Sequence, residues 1–245
     1  MQTLYHSPYS TCSQKVRLCL FEKGIDFEAI ALDFWKEEHL TPEYLALNPN
    51  GVVPTLVHDG EPVIDSSVIV EYLDEVFPDP ALSPKDALGK ARMRAWLRFL
   101  EEVPTVAIRV PSFNKAFVQL WADKSDEELE QQAQARPLRT ALYKSLGRDG
   151  VGTEEYDASL KRLRMTIERM EKALSASEWI CGDSFSLADV CVIPTIDRMN
   201  DLGLSHIWGD TPHVQRWWSA VQQRDCFKQT FAPGTRVSER YAISS

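Results

Sequence analysis

Hydroxyl and thiol side chains cluster near the start of the chain, between Ser10 and Ser13. Thr11 and Gln14 fit the S/T-x-x-Q pattern of a capping box, which predicts that Thr11 is the N-cap of a helix and Cys12 its first residue. Free backbone N–H groups and the positive end of the helix dipole converge at such a position and stabilise an anion. A thiolate is such an anion, although Ser and Thr are also ordinary helix caps.

The free energies available at this turn are large enough to ionise a bound thiol at neutral pH. A free thiol has a pKa of about 8.5. A helix end contributes roughly 0.3–1 kcal/mol, and a hydrogen bond donated by a hydroxyl such as that of Ser10 contributes roughly 1.5–3 kcal/mol. Since one pKa unit corresponds to about 1.36 kcal/mol, the two together would bring the pKa of the bound thiol to about 7.

Two further segments carry groups that suit a peptide ligand. Val53 precedes Pro54, and a cis bond there would turn the backbone N–H and C=O of Val53 outward, free to pair with an extended peptide. A trans proline that opens a strand is the alternative. Asp65 and Ser66 lie at a predicted strand-to-helix turn. The helix N-terminus and the Ser66 hydroxyl could bind a carboxylate of the ligand, and the Asp65 carboxylate could bind its ammonium group. The alternative for this pair is a plain N-cap.

The elements that must position these residues alternate in type over the first part of the chain. Gly24 predicts the end of the first helix, and Asp59-Gly60 predicts a hairpin turn with positive φ angles. Pro62 cannot donate to a ladder, which indicates an edge strand. The predicted strands are 3–6, 25–32, 55–58 and 61–64, and the predicted helices are about 12–23, 41–47 and 66–77.

A proline-rich connector divides the sequence into two domains. The segment 77–84 carries three prolines in seven residues, which predicts a stiff, extended linker. Beyond it only helical patterning appears, including an apolar stripe over 160–174 and a helix over 183–194 that begins at a Ser186–Asp189 capping box. We therefore predict domains at 1–80 and 88–245 with a linker at 81–87. The polar stretch 112–152 predicts no particular element.

Composition excludes several functional classes. The net charge of −9 argues against binding to nucleic acid or to anionic membrane lipid. No apolar run approaches the roughly 20 residues that span a bilayer, and the first residues lack a signal-peptide pattern, so we expect a cytoplasmic protein. The five cysteines are scattered, without metal-ligand or CxxC spacing, which indicates reduced and mostly buried thiols and no metal site.

Taken together and in order, these motifs resemble the glutathione transferase superfamily, in its zeta-like and related bacterial branches. The resemblance is carried by the turn at 10–17, by the segment 48–56, by Asp65-Ser66 and by the helix start at 186–189, and it extends over nearly the whole chain. It implies a thioredoxin-like α/β domain followed by an all-helical domain, with glutathione as co-substrate and an electrophilic, aromatic small molecule as second substrate. It also implies a homodimer and a role in detoxification.

The resemblance also implies roles for individual residues. Ser10, with Thr11 beside it, would donate to the glutathione sulfur, and Val53 before a cis Pro54 would pair with the cysteinyl backbone. Asp65 and Ser66 would hold the γ-glutamyl end, although many members carry the longer Glu or Gln in place of Asp65. Candidates for the glycyl carboxylate, by their region alone, are Lys36 and His39.

Cys12 and the second domain leave the reaction open. In reductive dehalogenases of the superfamily, a cysteine that matches Cys12 forms a mixed disulfide. The helix start favours the thiolate form of Cys12. The alternative is that Cys12 is a packed thiol without a covalent role. The segment 136–139 and the polar stretch before Leu160 also look like those enzymes and like the bacterial β-aryl etherases. Several reactions stay open: conjugation, ether cleavage, isomerisation, dehalogenation and thiol–disulfide exchange through Cys12. A non-catalytic glutathione-binding module also stays open.

The second-substrate pocket is expected against the first long helices of the helical domain. Arg109 could face an acidic or phenolic substrate there, or could be solvated. The aromatic side chains of this region are as consistent with a core as with a pocket; the candidates are Trp96, Phe99, Phe113 and Phe117, with Val103, Ile108 and Trp121 beside them.

Overall fold

The computed structural model describes residues 1–243, as an α/β domain followed by a helical domain. The first domain contains β1 (Gln2–His6), α1 (Thr11–Glu22), β2 (Phe27–Ala31), α2 (Pro42–Leu47), β3 (Thr55–His58), β4 (Glu61–Ile64) and α3 (Ser66–Val76). The helical domain contains α4 (Ala87–Glu102), α5 (Pro104–Ala107), α6 (Arg109–Ser112), α7 (Asp126–Gln134), α8 (Thr140–Ser145), α9 (Thr153–Leu174), α10 (Leu187–Asp201), α11 (Pro212–Gln223) and α12 (Asp225–Thr230). Short 3-10 turns lie at Glu38–Leu40, Val118–Leu120, Ser205–Trp208 and Val237–Glu239.

The strands of the first domain form one mixed sheet in the order β2-β1-β3-β4. β1 pairs in parallel with β2 and antiparallel with β3, and β3 pairs antiparallel with β4. The predicted hairpin is confirmed, since Asp59 and Gly60 have φ angles of 51° and 90°. Pro62 lies in β4 at the edge of the sheet, as a residue without an N–H requires.

Buried side chains hold α1 between the two domains. α1 packs against α3 on one side and against α10 and α12 of the helical domain on the other. At its end, the ammonium group of Lys23 lies 2.7 Å from a carboxylate oxygen of Asp74 and 2.6 Å from the carbonyl oxygen of Pro80. Asp74 also accepts from the backbone N–H of Leu82 at 2.9 Å. This buried ion pair therefore ties the connector to α1 and α3.

The helical domain departs from the prediction in two places. α10 does not end at Pro194 but continues to Asp201. Proline removes one helical hydrogen bond, but this helix is buried on nearly all sides, and tertiary packing outweighs the loss. The unassigned stretch 112–152 folds into α7, α8 and shorter turns around a small core of Val110, Phe113, Trp121, Leu146 and Val151. Such short elements leave little periodicity in the sequence.

The boundaries 1–80, 81–87 and 88–245 remain a prediction, and Ser244 and Ser245 fall outside the described residues. Over residues 1–243 no helix combines the length and apolarity needed to cross a membrane. Cys19, Cys191 and Cys226 are buried, as expected of small apolar side chains, whereas Cys181 and Cys12 are partly exposed.

Candidate active site

Ser10, and not Thr11 as predicted, is the N-cap of α1. The Ser10 hydroxyl oxygen accepts a hydrogen bond from the backbone N–H of Ser13 at 3.3 Å. Gln14 does not close a capping box, because its amide donates to the carbonyl oxygens of Pro8 at 2.9 Å and Thr235 at 3.3 Å. Since Ser10 accepts the capping bond, its own hydroxyl hydrogen is available to a ligand.

The loop before β3 is built by buried polar side chains. The peptide bond between Val53 and Pro54 is cis. The carbonyl oxygen of Val52 accepts from the Tyr44 hydroxyl at 2.6 Å and from the Asn48 side-chain amide at 2.8 Å. No hydrogen bond among residues 1–243 engages the backbone N–H or C=O of Val53. Both groups are therefore free to pair with a ligand.

Glycine is required at position 51 of the same loop. Its φ angle is +58°, and an added Cβ would lie 2.9 Å from a methyl carbon of Leu40. A side chain here would therefore strain the backbone and require the Leu40 side chain to shift.

Asp65 caps α3, so the N-cap interpretation of this residue is correct. Its φ angle is 72°, and one carboxylate oxygen accepts from the backbone N–H of Ser67 at 2.9 Å, the hydroxyl of Ser67 at 2.7 Å and the N–H of Val68 at 3.2 Å. Capping does not exclude ligand binding, because Asp65 also lines a cavity together with Ser66.

Two adjoining cavities bring most of the predicted site residues together, and they share Val52, Val53 and Arg139. The smaller cavity, of about 40 Å³, is lined by Ser10, Phe34, His39, Asn50, Gly51, Val52, Val53, Arg136, Arg139 and Tyr143. The larger, of about 160 Å³, is lined by Cys12, Val52, Val53, Pro54, Asp65, Ser66, Glu101, Arg109, Leu138 and Arg139. Thr11 and Lys36 line neither cavity.

The aromatic residues predicted for the second-substrate pocket lie elsewhere. Trp96 and Phe99 of α4 stack edge to face, and the Arg169 guanidinium of α9 lies 4.7 Å from the first ring and 4.0 Å from the second. Phe113 is buried against Trp121 at a ring distance of 4.8 Å. None of these side chains lines either cavity. Their helical spacing therefore reflects packing.

The C-terminal segment reaches the first turn. The Phe117 ring packs against that of Tyr241 at 5.5 Å, and the Tyr241 ring lies 6.1 Å from that of Tyr9. The carbonyl oxygen of Thr235 accepts from Gln14. Phe117 therefore belongs to the contact between the helical domain and this segment, and it lines neither cavity.

Three arginines of the helical domain line the cavities, and only Arg109 was among the predicted site residues. Arg136 and Arg139 make the smaller cavity cationic, whereas in the larger cavity Arg109 and Arg139 lie beside Asp65 and Glu101. Arg136 bonds the carboxylate of Glu37 at 3.1 Å and so attaches the segment 136–143 to the first domain. The side chains of Arg109 and Arg139 make no hydrogen bond or ion pair within residues 1–243. Burial, together with the nearby charge of Arg139, lowers the pKa of Arg109.

His39 and Arg136 leave buried polar atoms without partners at the smaller cavity. Within residues 1–243, neither the Nδ1 atom of His39 nor the Nε atom of Arg136 has a hydrogen-bond partner. Both side chains are more than nine-tenths buried. Burial, with the nearby charges of Arg136 and Arg139, lowers the pKa of His39 to about 4. This cavity therefore suits an anionic group that accepts hydrogen bonds.

A fully buried lysine lies behind the larger cavity. The Lys15 ammonium pairs with the Glu101 carboxylate and donates to the Thr105 hydroxyl at 3.0 Å. Burial alone would lower the pKa of Lys15, but the charges of Cys12 and Glu101 outweigh burial and raise it. Glu101 is thereby ion-paired with Lys15 and makes no ion pair with Arg109, although its charge still acts to raise the pKa of that guanidinium against the effect of burial.

Comparison with known proteins gives a consistent result for both halves of the chain. Residues 4–81 match the family model described as glutathione S-transferase, N-terminal domain, and residues 124–225 match the one for the C-terminal domain. Protein LigF of Sphingobium sp. is 29% identical over 91% of this chain and 90% of that protein. Glutathione S-transferase TCHQD of Arabidopsis thaliana is 26% identical over 98% of this chain and 92% of that protein. The crystal structure of the β-etherase LigF superposes with a TM-score of 0.82 at 28% identity, over 94% of this chain and 98% of the other.

Proposed function

Because the chain belongs to the glutathione S-transferase family and uses glutathione as its co-substrate, we propose that Ser10 activates the glutathione sulfur for attack on an aromatic electrophile. The observation that carries the proposal is the convergence of residues from four separate segments on two adjoining cavities. Ser10, Val53 and His39 line the smaller cavity, and Val53, Asp65 and Ser66 line the larger.

Glutathione is assigned an extended pose along these segments. The γ-glutamyl carboxylate lies at Ser66 and the α3 helix end, and the γ-glutamyl ammonium lies at Asp65. The cysteinyl backbone pairs with the free N–H and C=O of Val53. His39 holds the glycyl carboxylate in preference to the exposed Lys36. It lines the smaller cavity with Arg136 and Arg139, and its buried Nδ1 atom has no hydrogen-bond partner among residues 1–243.

In the reaction the thiol loses its proton to solvent, and the thiolate accepts the Ser10 hydroxyl hydrogen at the α1 helix end. A sulfur electron pair forms the new C–S bond, and the leaving group departs with the electrons of the bond that breaks. Ser10 needs no rearrangement to donate, because the capping bond from Ser13 uses only its oxygen lone pair.

The test is a panel of an activated aryl halide, an aryl ether and a chlorinated hydroquinone, each assayed with glutathione. We expect turnover of at least one by the wild-type protein and a strong loss in Ser10→Ala. Binding of glutathione without turnover of any class would instead support a non-catalytic glutathione-binding module.

Cleavage of β-aryl ethers is the first specific candidate reaction. It is supported by the similarity to the β-etherase LigF over more than nine-tenths of both chains. In that reaction the attacked carbon bears an aryloxy leaving group, which departs as a phenolate. Release of a phenol in proportion to glutathione consumed would establish it.

Thiol–disulfide chemistry through Cys12, including reductive dehalogenation, is the second candidate. Cys12 is the second residue of α1, is partly exposed and lines the larger cavity. In that chemistry the glutathione thiolate first displaces chloride from the aromatic substrate. The Cys12 thiolate then attacks the sulfur of this glutathionyl adduct and forms a mixed disulfide, while the S–C(aryl) bond breaks and the aryl group leaves with its electrons and takes a proton from solvent. A second glutathione thiolate attacks the mixed disulfide and releases Cys12 and glutathione disulfide. Loss of disulfide reduction in Cys12→Ala but not in Ser10→Ala would support thiol–disulfide chemistry. Loss of conjugation in Ser10→Ala but not in Cys12→Ala would support transfer of glutathione to the electrophile.

The wider role follows from the family resemblance. We propose a cytoplasmic homodimer with a function in detoxification and with domains at 1–80 and 88–245. Sedimentation equilibrium tests the dimer, and a chain that sediments as a monomer at every concentration would contradict it.

A further inference from the structure

We propose that Arg109, with Arg139 beside it, binds an anionic oxygen group on the second substrate, so that the protein selects aromatic electrophiles carrying a carboxylate or phenolate. This inference rests on the proposed transfer function and names the substrate class for it. Arg109 opens α6 and Arg139 directly precedes α8, so two separate segments of the helical domain supply the two cations.

The first argument is charge. Both guanidinium groups line the larger cavity, and neither has an ion-pair partner among the described residues 1–243. The two acidic residues of the same cavity are already engaged, Glu101 by the buried Lys15 ammonium and Asp65 by the cap of α3. Two like charges held together in a partly buried cleft repel each other, and an anion between them removes that repulsion.

The second argument is position. Cys12 and Ser66 lie on the walls of the same cavity, so an anion at Arg109 belongs to a molecule held next to the Cys12 thiol and the γ-glutamyl subsite. The proposed sulfur subsite at Ser10 lies in the adjoining cavity, which shares Val52, Val53 and Arg139 with this one. The carboxylates of glutathione already have sites in the proposed pose, at Ser66 and at His39. The anion at Arg109 is therefore carried by the electrophile.

The third argument is the apolar surface beside the two arginines. Leu138 is 59% exposed although it lines the cavity, and Val52 and Pro54 lie on the opposite domain. An aromatic ring between them would bury this surface while its anionic substituent reaches the guanidinium groups. Arginine also presents parallel N–H donors that match the two oxygens of a carboxylate.

The experiment compares two electrophiles that differ in charge, a chlorodinitrobenzoate and the matching chlorodinitrobenzamide. In both, the thiolate forms a C–S bond at the chlorinated carbon and chloride leaves with its bonding electrons. Each kcat/KM is divided by the rate constant of the uncatalysed reaction with glutathione, which removes the difference in intrinsic reactivity. The wild-type protein is expected to favour the benzoate by at least about tenfold, as a charged hydrogen bond implies.

Substitutions assign that preference to Arg109. Arg109→Ala is expected to remove most of the preference, and Arg109→Lys to retain part of it because the charge remains. Arg92→Ala is the matched control, because it also removes one positive charge but at an exposed position. Arg92 lies about 14 Å along α4 from Glu101, which lines the larger cavity, so this variant should keep the wild-type preference. Equal losses on both electrophiles in Arg109→Ala, or no preference in the wild type, would overturn the inference.

Failure of the transfer reaction can be told apart from failure of this inference. If neither electrophile is turned over, the proposed function fails for this class, and calorimetry with the two synthetic S-aryl glutathione conjugates decides the inference instead. Tighter binding of the carboxylate conjugate that disappears in Arg109→Ala supports it. Equal affinities of the wild-type protein for the two conjugates overturn the inference. It is also overturned if Arg109→Ala loses as much affinity for glutathione alone as for the carboxylate conjugate.

Discussion

Replacement of Ser10 by alanine should raise the pKa of the thiol of bound glutathione. The Ser10 hydroxyl is the proposed donor to the sulfur, and its removal costs the thiolate roughly 1.5–3 kcal/mol of stabilisation. At about 1.36 kcal/mol per pKa unit, the pKa rises by about one to two units from about 7. The thiolate fraction at pH 7 then falls from about one half to about one tenth or less.

The assay is an ultraviolet titration of the thiolate in the complex with saturating glutathione, together with the pH profile of kcat/KM. Both should show the same upward displacement in Ser10→Ala. The variant also loses the cap of α1, at about 1 kcal/mol of folding stability. Asp86→Ala is the control for the loss of a helix cap, because Asp86 is the N-cap of α4. It lies about 20 Å along that helix from Glu101, which lines the larger cavity.

The two variants separate catalysis from capping. Both should unfold at slightly lower denaturant concentration, but only Ser10→Ala should displace the titration. A bound thiol with the same pKa in Ser10→Ala and wild type would refute the assignment. The stabilising donor would then be a backbone N–H of α1 or another side chain.

Three other substitutions test the surroundings of the site. Burial, together with the charge of Arg17, lowers the pKa of His6 to about 4. Because His6 of the unfolded chain binds a proton below about pH 6.5, the free energy of unfolding should fall by up to about 3 kcal/mol as the pH is lowered from about 6.5 to 4. In urea unfolding, His6→Gln should show a smaller fall over the same pH range. Asp74→Ala leaves the Lys23 ammonium buried without its counterion and should cost about 3–5 kcal/mol in thermal or urea unfolding. Asp65→Ala should weaken glutathione binding in calorimetry by about tenfold or more, through loss of the γ-glutamyl ammonium contact.

Each of these has an outcome that contradicts it. An unchanged pH dependence in His6→Gln would mean that His6 does not resist protonation in the folded state. For Asp74, the double variant Lys23→Met with Asp74→Leu should recover part of the loss, and no recovery would point to packing instead of charge. For Asp65, the matched ligand is cysteinylglycine, which lacks the γ-glutamyl group; an equal loss for both ligands would indicate a disturbed α3.

The sequence predicts the first domain closely because its signals are local. Asp59-Gly60 specifies one turn, and a Pro in β4 specifies the edge of the sheet. The one error at the site, Thr11 for Ser10 as the N-cap, arose because Gln14 could close a capping box locally. In the folded chain Gln14 bonds to Thr235, which lies 221 residues away, and no local pattern contains that partner.

The surroundings of the aromatic residues proposed for the second-substrate pocket could not be read from the sequence for the same reason, and their role in binding substrate stays a prediction. Aromatic spacing along α4 identifies a packed face but not what it packs against, and Trp96 and Phe99 face Arg169 of α9. Arg139 lies in a stretch whose elements are too short to show periodicity. Its placement depends on the Arg136–Glu37 contact between domains, and no local sequence pattern contains that contact.

The first turn depends on the helical domain as much as on its own sequence. Arg198 of α10, which is buried, donates to the carbonyl oxygen of Tyr9 and to the hydroxyl of Ser112. Gln14 bridges from the same turn to Thr235 in the C-terminal segment. The turn that carries Ser10 is therefore held by contacts from both domains, and the proposed stabilisation of the thiolate by Ser10 would depend on the docked pair of domains. Catalysis gains most from donors that are already oriented before the substrate binds, because no reorganisation is then needed as charge develops on the sulfur.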